Sequence, residues 1–137
     1  MDMNPYLTFD GNCDEAFSFY AKLFDGEIKM RQTFGESPMA AEFPDIGDRV
    51  MHIAMLVGTN VIMGSDTGPM PYQKPAGVSV MIGFDEFDRC AAIFQALAEG
   101  GQITMPFETT FWSPGFGMVT DRFGIAWMVD CTAEPEG

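Results

Sequence analysis

Two apolar stripes with helical spacing recur in this 137-residue chain at one constant offset, and that repetition limits the folds open to it. The first stripe is Ala16, Phe19, Tyr20 and Leu23, widened by Phe17 and Phe24; the second is Cys90, Ile93, Phe94 and Leu97. Recurrence at three- and four-residue steps marks a helix with one buried face. Gly26 follows the first stripe and Gly100 the second, and glycine there can take the left-handed conformation that stops a helix. Asn12 or Asp14 offers an N-cap for the first helix.

Strand-like runs surround both helices in the same order. The first half offers Tyr6–Phe9, Glu27–Thr33, Val50–Val57 and Val61–Ser65, with Gly58-Thr59-Asn60 as a hairpin turn. The second offers Val78–Phe84, Gln102–Met105, Gly117–Thr120 and Ile125–Cys131. Asp121-Arg122-Phe123-Gly124 reads as a tight turn before the last strand, with Arg122 placed to pair with Asp121. Between the halves, Gly68 to Gly77 holds three prolines and two glycines, which regular structure does not cross. The expectation is an α+β fold of two βαβββ modules in one domain, 1–137: module one over about 4–67, a connector over 68–77, and module two over about 78–132. A helix packed on one face of its sheet leaves the other free. Two such sheets facing each other would enclose a cavity.

The net charge of −13, from 20 acids and 7 bases, repels phosphate backbones and anionic lipid, so neither nucleic acid nor membrane is an expected partner. No apolar run approaches the roughly 20 residues of a bilayer span, and the N-terminus has no secretion-signal pattern. Cys13, Cys90 and Cys131 are too widely spaced for a zinc motif or a disulfide framework, so the cytoplasm is the expected location. Thirteen Phe and twelve Met fit an aromatic core or a Met-lined ligand cavity.

Several segments, taken in order, resemble one family. They are Pro5-Tyr6-Leu7-Thr8-Phe9-Asp10-Gly11-Asn12, Phe19-Tyr20, Phe24-Asp25-Gly26, Val50-Met51-His52, Phe111-Trp112, and Phe116 through Trp127. The set is similar to PhnB-type proteins of the glyoxalase/bleomycin-resistance/extradiol-dioxygenase superfamily. The resemblance implies paired βαβββ modules with cupped mixed sheets, and a homodimer. Metal enzymes of that superfamily hold a divalent ion through His and Glu on the first and last strands of each half. Here those positions fall at Pro5 or Tyr6, near Met63, at Ser79 and at Met128, and the chain has a single histidine. Neither a metal nor any other cofactor is therefore expected.

Strand alternation puts His52, Ala54 and Leu56 on one face and Met51, Ile53, Met55 and Val57 on the other, leaving His52 on the face away from the helix. His52 is the candidate acid–base residue. The candidate ligand-binding set is Tyr6, His52, Met63, Phe107, Trp112 and Met128, with a bound small apolar or aromatic molecule as the expected partner. Four functions stay open: a metal-free binding protein, an enzyme using His52, a metal-dependent lyase or dioxygenase as the superfamily resemblance implies, and a structural module with a collapsed interior.

Overall fold

In the computed structural model, residues 1–135 are described, and the chain divides into two compact units on either side of the Gln73–Lys74 bond. In the first, β1 (Tyr6–Phe9), α1 (Cys13–Phe24), β2 (Glu27–Thr33), β3 (Val50–Val57) and β4 (Asn60–Asp66) form a sheet in the order β1-β4-β3-β2. In the second, β5 (Val80–Phe84), α2 (Phe87–Ala98), β6 (Gln102–Glu108), β7 (Gly115–Thr120) and β8 (Ala126–Cys131) repeat it as β5-β8-β7-β6. The first and last strands of each unit pair in parallel, and the other neighbours are antiparallel. Mixed sheets with one covering helix each are what the doubled pattern calls for.

Local chemistry refines several expectations. Helix α1 is stopped by Asp25, not Gly26: Asp25 takes the left-handed conformation (φ 56°, ψ 44°), and Gly26 N donates to Ala21 O at 2.8 Å. Gly26 is needed for space, because a Cβ there would lie 3.1 Å from Val57 Cγ2 and 3.2 Å from Leu56 O. Asn12 is the N-cap residue of α1, yet its side chain makes no cap hydrogen bond. Strand β6 runs through Pro106 instead of ending at Met105. It is an edge strand, where a missing N–H breaks no ladder.

The buried stripe of α2 is Cys90, Ile93, Phe94 and Leu97, as the spacing predicts. That of α1 is rotated to Cys13, Ala16, Phe17, Tyr20 and Phe24, leaving Phe19 and Leu23 half-buried. Glycine placement in the sheets accounts for the difference. Phe17 rests over Gly64 on β4, where a Cβ would come within 2.7 Å of its ring. In the second unit the gap is on β7, where Gly117 receives Phe94. The cross-strand partners are Ile53 for Gly64 and Val129 for Gly117, so glycine and branched residue exchange strands between the units. Each helix lays its ring into the gap its own sheet provides.

Candidate functional site

The helix of each unit covers one face of its sheet, and the opposite face is partly open. On β3, Ile53 and Met55 are fully buried, while His52, Ala54 and Leu56 keep partial exposure, as alternation predicts. Register then assembles the neighbours of His52. Tyr6 pairs with Met63, Met63 with Ala54, and Ala54 with Met30, giving an apolar row with one residue per strand. Beside it runs a second row. Thr8 pairs with Ser65, Gln32 pairs with His52, and the Ile53–Gly64 pair places Ser65 alongside His52. All four members of this second row are partly exposed.

Tyr6 and His52 are joined over the top of β4. The Tyr6 hydroxyl lies 3.3 Å from His52 Nδ1, and the rings stack with centroids 5.8 Å apart and planes 27° apart. If the phenol donates, the imidazole proton sits on Nε2 and that nitrogen becomes an outward donor; the opposite tautomer reverses the roles. Met63 lies in the same row as Tyr6, so three of the candidate ligand-binding residues share this face.

The other three belong to the second unit. Met128 pairs with Met81 and with Met118, and Met118 pairs with Met105, so a line of methionines crosses all four strands. Trp112, 52% exposed, packs edge-on to Phe116 at 5.4 Å and to Phe111 at 4.7 Å. Phe116 shares its strand face with Met118. Phe107 is placed differently from the expectation: its ring meets Phe87 and Phe94 of α2, each at 5.6 Å, so it packs with the helix and not on the open face.

Two buried carboxylates organise the backbone: Asp66, which carries no sequence expectation, and Asp121, expected only in a tight turn beside Arg122. Asp66, 3% exposed, accepts from Gly11 N (2.8 Å) and Cys13 N (3.0 Å) on one oxygen and from Val50 N (2.9 Å) on the other. It thereby caps α1 from across the sheet. Asp121, 4% exposed, accepts from Phe123 N, Ile125 N and Trp127 Nε1, while the Arg122 guanidinium lies over the Phe123 ring at 4.4 Å. The signal for Asp66 was present: Ile62, Gly64 and Asp66 alternate onto the helix-facing side of β4, where a carboxylate must be fully hydrogen-bonded.

The metal positions of the superfamily can now be placed by register. Tyr6 pairs with Met63 in the first sheet, and the matching pair in the second is Met81 with Met128. Ser79 lies before β5, and the turn into α2 is one residue shorter than the turn into α1, which moves the match of Tyr6 from Val80 to Met81. Neither a phenol beside a thioether in the first sheet nor two thioethers in the second fits a hard or borderline divalent cation, which takes oxygen and imidazole donors. Among the described residues no three His, Cys, Asp or Glu side chains form a group that could hold a metal ion.

These features define a protein of the glyoxalase/bleomycin-resistance fold, with two βαβββ modules. The chain is similar over 98% of its length to PA1353 from Pseudomonas aeruginosa (43% identity, 99% of that chain, TM-score 0.91). It is 32% identical to protein YjdN of Escherichia coli over 95% of both chains. A PhnB protein from Bacillus cereus shares the fold at 24% identity, with 96% and 99% coverage and a TM-score of 0.79. Over residues 1–130 the chain matches, and belongs to, the PhnB-like family described as 3-demethylubiquinone-9 3-methyltransferase.

Proposed function

We propose that this protein binds a small apolar or aromatic molecule on the open face of its first sheet, with the Tyr6–His52 pair as the polar anchor. One observation carries the reading: a phenol and an imidazole are hydrogen-bonded and stacked on a partly exposed face where Met63, Ala54 and Met30 complete an apolar row. An apolar surface with few, placed polar groups is the usual form of a small-molecule site. The same dyad supports a second reading, an enzyme with His52 as acid or base and Tyr6 setting its tautomer.

The family description speaks of methyl transfer, and nucleotide-type methyl donors are commonly cradled at a glycine-rich strand-to-helix turn. The turn from β1 into α1 carries one glycine, Gly11, and its N–H and that of Cys13 are held by Asp66. The place where an anionic cofactor group would dock on α1 is filled by the protein's own carboxylate. That favours binding over methyl transfer. We further propose that the protein acts in the cytoplasm and pairs with a second copy of itself, which sedimentation would report as twice the chain mass.

Thermal melts against a panel of aromatic compounds, with and without zinc, manganese and nickel, test the main reading. Saturable stabilisation by a compound, weakened in His52→Ala, is expected. Strong stabilisation by a metal, with stoichiometric uptake retained after dialysis, would overturn it.

A further inference from the structure

The two rows on the first sheet differ in chemistry, and the difference specifies a class of ligand. Neighbouring strands lie about 4.8 Å apart and same-face residues along a strand about 6.7 Å apart, so the rows together cover roughly 14 by 7 Å, room enough for a fused two-ring molecule. The row from Tyr6 to Met30 offers an aromatic ring, a methyl and two thioethers. The row from Thr8 to Gln32 offers two hydroxyls, an imidazole and a carboxamide. The hydroxyls of Thr8 and Ser65 make no hydrogen bond among the described residues, and Gln32 is held through its nitrogen by Glu36 O at 3.4 Å, leaving its amide oxygen to accept. Two unpartnered hydroxyls on adjacent strands, in line with the remaining hydrogen-bonding capacity of His52 and Gln32, are ready for a ligand's oxygens.

Charge narrows the class further. Neither row contains a Lys, Arg, Asp or Glu. The cation nearest in sequence to Gln32 is Arg31, which is committed to Asp14 at 2.7 Å. A carboxylate or phosphate would find no Lys or Arg in these rows and would meet the −13 field of the chain.

Resting on the binding function proposed above, we infer that this face takes an uncharged, flat molecule bearing hydroxyl or carbonyl oxygens along one edge. The ring system lies on Tyr6, Met63 and Met30, and the oxygens meet Thr8, Ser65 and His52.

A matched set of probes tests this: 2,3-dihydroxynaphthalene, 2-methylnaphthalene and 2-naphthoate, titrated while the methionine methyl signals of Met30 and Met63 are followed by NMR. The diol is expected to bind about tenfold more tightly than either other probe, the factor that one or two ordinary hydrogen bonds supply. Ser65→Ala, with Thr8→Val as the second variant, is expected to remove most of that preference while leaving 2-methylnaphthalene binding and the melting temperature unchanged. Equal or tighter binding of 2-naphthoate, or a preference for the diol that survives both substitutions, overturns the assignment of ligand class but leaves binding itself standing. If no probe moves either methyl signal, both the class and the binding function fall.

Discussion

At Asp66, one side chain holds three backbone N–H groups that come from two separate segments. Removing the carboxylate strands buried donors at about 1–3 kcal/mol each, so Asp66→Ala is expected to lose at least ~3 kcal/mol in urea unfolding. A loss below about 1 kcal/mol would show that water replaces it. The thiols behave oppositely, as inert core atoms. Burial, with Cys131 beside it, pushes the Cys90 thiol from 9.0 up to about 12, and burial next to Asp66 raises Cys13 further still. A raised thiol pKa favours folding while the thiol is protonated. That contribution is complete below pH 9 and is lost as pH rises through 12. Stability is thus expected to fall across that window, and Cys90 to resist iodoacetamide at pH 8 until denaturant is added. Rapid alkylation of the native protein would contradict this.

Among the elements, β2 and β3 were legible to the residue, because alternation and bounding turns agree there. Strand β6 was not, since Pro106 signals a stop unless the strand is known to be an edge. The orientation of His52 was readable from the apolar alternation of β3. Its partner Tyr6 was not: β4 lies between their strands, and only sheet order brings the two rings together. Register along β5 was misjudged for a comparable reason. The constant offset of the helices carries Pro5 to Ser79 and Tyr6 to Val80, but Asp10-Gly11-Asn12 is one residue longer than Asp85-Glu86, so Tyr6 matches Met81. The rotation of α1 depended on Gly64, whose role emerges only once Phe17 is seen above it. Gly64→Ala puts a methyl 2.7 Å from that ring and 2.8 Å from Leu7 O, a backbone atom that cannot swing away. A cost of about 1–3 kcal/mol is expected in denaturant melts, and Gly58→Ala, with nothing within 4 Å but a φ of +60°, tests conformational strain alone.

On the scale of the whole molecule, the surplus of 13 negative charges is the dominant long-range term. The ion pairs Lys29–Glu27, Arg31–Asp14 and Arg49–Asp10 are all partly exposed, and such pairs contribute little. Self-repulsion therefore opposes the compact state, and salt relieves it over a Debye length of about 8 Å at 0.15 M. The melting temperature is expected to rise by a few degrees between about 10 mM and 150 mM sodium chloride; a fall would mean that local ion pairs outweigh the net charge. Among the described residues no helix is long and apolar enough to cross a membrane.

Pro106 has a consequence beyond its own strand. An outermost strand exposes a row of unused amides and carbonyls on which a foreign chain can stack, and repeated stacking produces fibrils. On β6 the proline deletes one of those donors, and the two irregularities in its pairing with β7 bend the strand away from a flat template. On β2, the charged side chains Glu27, Lys29 and Arg31 line the corresponding margin. The protein thus carries guards against polymerising with itself on these two margins, which would let a cell hold it at high concentration without forming amyloid.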